Sequence, residues 1–382
     1  MFRSMGFDYV YVEQGNDVEK LIEAFRRVKD TKRPVVVHIH TEKGRGYAPA
    51  VADKERWHYS MPFDIATGEL RSKDNSEDYG TLTGDFLFNE MKHDKHLVAV
   101  TSATPALIGF DRKRRKEAGK QFVDVGIAEE EAVAMISGMA KGGIRPVYNV
   151  YSTFIQRTYD QLAQDLCING NPALINVFLG SVFGMNDITH IGFYDIPMLS
   201  NIPNLTYLAP TCWEEHLAMM RWALRQTACP VAIRVPGGAV RHSTEQFDDD
   251  YSVPNRFRVT HKGSGVAILG LGAFYALALK VAEKLKAEKG IDATVINPRY
   301  ISGIDENLLS SLKADHSTIV TLEDGAIEGG FGEKIARFYG PTDVHVHCFG
   351  VKKALYDRYD YDKLLSDNHL TPEQIVEDII NS

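Results

Sequence analysis

Three consecutive carboxylates, Glu129, Glu130 and Glu131, stand where an apolar run gives way to a helical pattern, in the stretch FVDVGIAEEEAVAMISGMAKGGIRPVYNVYSTFIQRTYD. The run ending in Val125 and Ile127 predicts a buried strand. Val133, Met135 and Ile136 continue a helix that the acids open. Acids in a first helical turn are favoured by the helix dipole whatever else they do, and on that account Glu129 is an exposed acid. A carboxylate at a strand-to-helix junction can also be half-buried against a ligand and used in proton transfer, with its proton affinity set by its surroundings. One strand later, YSTFIQRTYDQ brings Tyr151, Phe154 and Arg157 close in sequence, and a further apolar strand leads to THIGFYD with His190.

Such residues need a scaffold that gathers successive strand ends. From about 81 to 240, apolar strands at 97–101, 146–151, 173–178 and 231–235 alternate with helices at 129–141, 155–167 and 213–226. That alternation predicts an α/β fold with a mostly parallel, doubly wound sheet. From about 260 to 382 the pattern repeats, with strands at 266–269, 293–296, 318–322 and 344–348. Residues 1–78 offer less: an amphipathic helix at 17–29, with Val18, Leu21, Ile22, Phe25 and Val28 on one face, and a strand at 34–40. One helix and a short strand cannot enclose a core. Their apolar faces must cover either the rest of this chain or a second polypeptide. The polar run 71–78 reads as a linker, so the expected domains are 1–78, 79–245 and 255–382.

Bulk properties narrow the function classes. The chain has 382 residues, 44% hydrophobic and 25% charged, an ordinary globular composition with room for two or three domains. Its 43 basic and 51 acidic residues give a net charge of −8, which argues against binding along a nucleic-acid backbone. The basic run at 112–116 reads as a solvated loop. Cys167, Cys212, Cys229 and Cys348 are far apart without CxxC spacing, so neither a disulfide framework nor a zinc site is expected, and a reducing cytoplasm fits. No stretch approaches the roughly twenty apolar residues of a membrane span, and MFRSMGFDYV has no secretory apolar core.

Several patterns are structural on their spacing. In Gly270-Leu271-Gly272-Ala273-Phe274-Tyr275, Tyr275 stands where a dinucleotide fingerprint needs its third glycine. His345 and His347 fall on one face of a strand and Cys348 on the other, and His38 and His40 likewise share a face, which points to strand pairs rather than metal ligands. Gly329-Gly330-Phe331-Gly332 lacks the Walker lysine spacing and predicts a tight turn before a helix.

The blocks GFDYVYVEQGNDVEKLIEAF, TEKGRGYAPA, RWHYSMPFD, VDVGIAEEEAV, YSTFIQRTYDQ, THIGFYD, RVPGG and TLEDGAIEGGFG occur in the order found in one family. Together they resemble 1-deoxy-D-xylulose-5-phosphate synthase, a thiamine-diphosphate enzyme family of the transketolase group. The resemblance implies a transketolase-like fold, with a pyrimidine-binding domain and a carboxy-terminal domain preceded by a remnant of a first domain. It implies that Glu129 hydrogen-bonds the cofactor's aminopyrimidine, favouring the imino tautomer that takes the thiazolium C2 proton. Phe154 would lie beside that ring, Tyr151 and Arg157 would line the site, and Lys43 would stand at its edge. His58 and His190 would move protons near the reacting carbon, with Tyr151 and His190 also meeting substrate, and Arg234 would grip an acceptor phosphate as a fork.

The family's GDG motif and downstream Asn, which bind diphosphate through Mg²⁺, have no counterpart; the nearest pair, Gly84-Asp85, lies at the start of the second domain. The resemblance therefore implies that Mg²⁺ ligands come from a partner chain in a homo- or hetero-oligomer, and that none lie in this one. The implied reaction joins decarboxylated pyruvate to an aldehyde such as glyceraldehyde 3-phosphate. The alternatives are ketol or acyl transfer to another acceptor, or a catalytically silent regulatory partner. Within the site the chain departs from the family: Glu130-Glu131 replace Gln-His, and Leu179, Asn186 and Gly237 stand where Arg, Asp and Arg are expected. Fewer cations would weaken binding of a phosphorylated acceptor.

Overall fold

Strands made of Val, Ile, Leu and Ala without alternation are buried on both faces, and a sheet of them must be covered by helices on each side. The computed structural model, which describes residues 1–72 and 76–381, builds two such sheets. The first has six strands, β3 (Leu97–Thr101), β4 (Phe122–Asp124), β5 (Arg145–Tyr151), β6 (Leu174–Phe178), β7 (Thr206–Leu208) and β8 (Val231–Arg234). Their spatial order is β4-β3-β5-β6-β8-β7 and every pairing is parallel. The second is ordered β13-β12-β10-β11-β9, from β9 (Arg258–His261), β10 (Gly265–Gly270), β11 (Thr294–Asn297), β12 (His316–Ala326) and β13 (His345–Val351). Only its edge strand β9 runs antiparallel. Both faces of β3 and β6 are fully buried, as their sequences require.

The chain divides into two compact units, Met1–Ser76 and Glu77–Ser382. Both large sheets lie in the second unit and share a core: Val100, Ile175 and Tyr207 belong to one buried cluster with Leu269, Ile296 and Phe331. The first unit pairs β1 (Asp8–Val12) with β2 (Val35–Ile39) in parallel across the helix Val18–Val28. Asp17 caps that helix by accepting from the Glu19 and Lys20 amides. Val18, Ile22 and Phe25 on its apolar face remain exposed. Tyr9 hydrogen-bonds His38, and His40 lies near Glu13, so the two strand histidines are polar pairs within this unit.

Three local expectations are corrected. The basic run 112–116 is a helix, Arg112–Ala118, because unbranched basic side chains favour helix and Asp111 caps it through the Arg114 amide at 2.7 Å. The strand expected to reach Ile127 stops at Asp124. The Asp124 carboxylate accepts from Ala103 and Gly126, the chain turns at Gly126 with φ 74°, and Ile127 is 77% exposed. The expected regular helix 155–167 is a composite of a 3₁₀ turn, one α turn and a π turn, Leu162–Cys167. The linker expectation at 71–78 falls partly on residues 73–75, outside the described residues; Asp78 caps the helix Tyr79–Glu90 through the Thr81 amide.

Candidate active site

In the first sheet the strand order turns back between β3 and β5: β4 follows β3 on one side, and β5 and β6 follow on the other. Loops leaving the carboxyl ends at such a reversal diverge and leave a crevice. Glu129 follows β4, Tyr151 ends β5 with Phe154 just beyond it, and His190 lies in the loop after β6.

Glu129 opens the helix Glu129–Lys141 and is only 3% exposed, which corrects the expectation of an exposed first-turn acid. The loop after β5 folds across it, and Arg157 donates to its Oε2 at 3.2 Å while remaining 53% exposed itself. Below, the Tyr148 hydroxyl bonds Ser102 at 2.8 Å, and burial, then the nearby charges of Glu129 and Glu130, push that phenol above its ordinary range. Burial also raises the Tyr151 phenol. Phe154 meets Tyr151 edge-on at 5.5 Å and His190 edge-on at 5.4 Å, so one aromatic ring joins two loops. The Thr153 hydroxyl donates to the Thr189 backbone carbonyl at 3.1 Å and ties the same two loops.

The loop bearing His190 is braced from the carboxy-terminal part of the chain. Tyr359 donates to the Val182 carbonyl, Tyr361 to the Gly184 carbonyl, and Asn186 to the Tyr359 carbonyl. Asn186 is thus spent on holding the loop. Asp187 instead sits 2.9 Å from His190 Nδ1. Of these contacts only Asp187 left a trace in the sequence, as an acid one place beyond the expected position; the Tyr148–Ser102 bond and the tyrosine braces join segments too distant for any pattern to link.

The structure therefore brings together Glu129, Arg157, Tyr151, Phe154 and His190. It treats the remaining expected residues differently. Lys43 donates to His58 Nδ1 at 2.6 Å, within the first unit. Arg234, expected to bind an acceptor phosphate, is fully engaged by the fold. Its Nε donates to Asp195 at 2.7 Å, its Nη1 to Asp324, and Tyr207 also donates to Asp195 at 2.5 Å. Leu179, in place of an expected Arg, makes a sharp positive-φ turn after β6. Gly237 has no room for a side chain, since an added Cβ would lie 2.3 Å from Ser181 Cβ. Gly84-Asp85 is no diphosphate motif: it lies inside the helix Tyr79–Glu90, with Asp85 paired to Arg114 at 2.6 Å. Among the described residues no group of three His, Cys, Asp or Glu side chains could hold a metal, and no helix is long and apolar enough to cross a membrane.

A buried carboxylate with one partly exposed cationic partner, beside a fixed aromatic edge, suits a flat ring that can accept and return a proton; it offers nothing to a metal-bridged diphosphate. Residues 76–242 match the transketolase pyrimidine binding domain, 255–375 the transketolase C-terminal domain, and 1–41 the amino-terminal model of 1-deoxy-D-xylulose-5-phosphate synthase. The synthase of Pelotomaculum thermopropionicum is 34% identical over 100% of this chain and 60% of its own length. That of Clostridium tetani is 33% identical over 100% and 61%, and that of Clostridium perfringens 36% over 88% and 54%. This chain thus spans about 60% of the length of such relatives. Among solved structures, a transketolase variant from Pichia stipitis aligns with TM-score 0.65 at 13% identity, over 99% of this chain and 67% of that one. A protein described as a split gene transketolase, inactive beta4 tetramer, aligns with TM-score 0.63 at 23% identity, over 78% and 95%.

Proposed function

Because the chain belongs to the 1-deoxy-D-xylulose-5-phosphate synthase family of the transketolase group, we propose that it supplies the aminopyrimidine half of a thiamine-diphosphate site, in an enzyme joining decarboxylated pyruvate to an aldehyde. The observation that carries this reading is the buried Glu129 carboxylate beneath Arg157, beside the Tyr151–Phe154–His190 ring cluster. Thiamine diphosphate, when bound, supplies a thiazolium carbon that becomes nucleophilic on losing its C2 proton. Glu129 holds and returns the proton on the aminopyrimidine, its low exposure strengthening that hydrogen bond. Phe154 covers the ring and excludes water; His190 accepts and donates protons at the oxygens of donor and acceptor. Within the first unit, Lys43 and His58 are paired with each other.

Residues for Mg²⁺ and diphosphate are assigned to polypeptide outside this chain. The sequence has no GDG motif with a downstream Asn, and the described residues offer no metal cluster. A fold neighbour described as a split gene transketolase is a precedent for dividing such an enzyme. Four free cysteines accord with a cytoplasmic setting. The engagement of Arg234 by Asp195 and Asp324, with Leu179 and Gly237 in place of cations, favours an unphosphorylated aldehyde as acceptor.

Calorimetric titration tests the half-site directly. The isolated chain is expected to bind thiamine diphosphate weakly and without dependence on Mg²⁺. Micromolar, Mg²⁺-dependent binding would overturn the assignment of the metal half elsewhere. Mixed with a chain carrying GDG and the downstream Asn, it is expected to release CO₂ from pyruvate in the presence of an aldehyde. Glu129→Gln should abolish that activity and change stability by no more than about 1 kcal/mol, since the amide keeps the side chain's volume and can still accept from Arg157, whose guanidinium is 53% exposed. Full activity in Glu129→Gln would remove Glu129 from the chemistry.

A further inference from the structure

The loop after β6 contains one carboxylate that the family pattern does not account for. Where that pattern places an acid, this chain has Asn186, whose side-chain amide faces away and donates to the Tyr359 carbonyl at 2.9 Å, while its backbone carbonyl accepts from the Arg358 backbone amide at 2.6 Å. Asp187 turns the other way. Its Oδ1 lies 2.9 Å from His190 Nδ1 and 2.6 Å from Thr189 Oγ1, and Thr189 Oγ1 lies 2.8 Å from the same ring nitrogen. The Thr189 amide also donates to Oδ1 at 3.2 Å.

Counting donors and acceptors fixes the ring. Hydrogen bonds from Thr189, and then from His190, hold the Asp187 carboxyl below the usual carboxylate range, so at neutral pH it only accepts. Thr189 has a single hydroxyl proton, and the 2.6 Å contact to the carboxylate uses it. Toward the ring, Thr189 Oγ1 is therefore an acceptor. Both neighbours of Nδ1 accept, so Nδ1 carries the hydrogen, and in the neutral ring the lone pair lies on Nε2. Nε2 makes no hydrogen bond to protein among the described residues, and Phe154 sets the ring plane through its edge contact.

We infer that Asp187, acting with Thr189, is a positioning residue that locks His190 in the Nδ1–H tautomer and presents Nε2 as the site's proton acceptor. The inference rests on the reading above that His190 serves the reacting groups. It moves the role of the expected acid one residue along the loop, with Asn186 released to brace the loop against the segment around Tyr359.

Nitrogen NMR of the isolated chain, labelled with ¹⁵N-histidine and held at alkaline pH where imidazoles are neutral, reads the tautomer. The His190 signals are identified by their loss in His190→Gln. Wild type and Thr189→Val are expected to show Nδ1–H, because Asp187 remains as acceptor in both. In Asp187→Ala the Thr189 hydroxyl is released to donate to Nδ1, and His190 is expected to switch to Nε2–H. Asp187 has a side chain 37% exposed, so its replacement removes little packing. A wild-type ring protonated on Nε2, or an Asp187→Ala ring unchanged from wild type, overturns the inference. If Asp187→Ala loses the dispersion of its other histidine signals, the wild-type and Thr189→Val spectra decide. The measurement needs neither cofactor nor turnover. A wrong tautomer therefore sinks this inference alone, whereas full activity in Glu129→Gln sinks the functional reading alone.

Discussion

A guanidinium without access to solvent binds whatever the fold places around it. Arg234 ends β8 and is 3% exposed, and its donors meet Asp195 in the same sheet's domain and Asp324 on β12. In the sequence RVPGG, the residue type and its place at a strand end suit a phosphate fork equally well. In the fold its donors meet two acids, 39 and 90 residues away in sequence. Arg234→Ala leaves two buried carboxylates without their cation and is expected to cost about 3–5 kcal/mol, read as a lower urea midpoint. A variant with the wild-type midpoint and a selective loss of phosphorylated aldehyde use would return Arg234 to the substrate. Glu129 shows the converse. Its type and helical position were plain in the sequence, but its burial depends on Arg157 and the loop after β5, which no local pattern describes.

The segment 155–167 joins Phe154 and Arg157 to the body of the sheet, and its irregular turns are held by a partner helix. Ser137, on the helix Glu129–Lys141, donates to the Asp165 carbonyl at 2.6 Å inside the π turn and accepts from the Asn171 amide at 2.8 Å. A π turn widens the helix and shifts its hydrogen bonds, so a side chain from outside is needed to meet the groups it displaces. Ser137→Ala is expected to cost about 1–3 kcal/mol by stranding the buried Asn171 amide. Hydrogen exchange should rise in 155–167 while the second sheet keeps its protection; uniform exchange across both sheets would show that Ser137 acts on global stability only. Apolar spacing made this segment legible as a helix. Its departure from regularity was not legible, because it depends on one hydroxyl in another element.

At the scale of the whole molecule, the two large sheets form one body with buried polar groups between layers. His216 lies on the helix Trp213–Arg225, fully buried between Trp213 and Tyr79, and its Nε2 contacts Asn176 at 3.4 Å. Burial pushes its imidazole down to about 3, against 6.5 unperturbed. Below pH 6.5 the unfolded chain takes up a proton that the folded chain refuses, so stability falls with pH through the window from 6.5 to about 3. Glu323, pushed up to about 7 by burial despite accepting from the Phe331 and Gly332 amides, acts in the opposite sense: its contribution is lost as pH rises from 4.5 toward about 7. Comparison of variants separates the two. Relative to wild type, His216→Gln is expected to gain about 1.4 kcal/mol per pH unit below pH 6.5, measured by urea unfolding from pH 8 to 5. A difference that stays constant across that range would mean that His216 takes up its proton as readily in the folded chain as in the unfolded one.

Much was fixed by sequence alone. Predominantly apolar strands at 97–101 and 173–178, alternating with helical periodicity, specified parallel sheets covered on both faces, because strands without a polar face have no other stable setting. The resemblance of its short motifs to one family implied a shared site for Glu129, Tyr151, Phe154, Arg157 and His190, and these residues do follow the carboxyl ends of β4, β5 and β6, beside the crevice left where strand order reverses. Tertiary structure decided how each of these residues is used. Burial, ion pairing and tautomer are set by groups brought across tens or hundreds of residues: Arg157 over Glu129, Asp195 and Asp324 around Arg234, and Tyr359 bracing the loop from which Asp187 turns toward His190. Local pattern encodes which face of an element is apolar, whereas the electrostatic role of a side chain depends on the charges and dipoles folded against it.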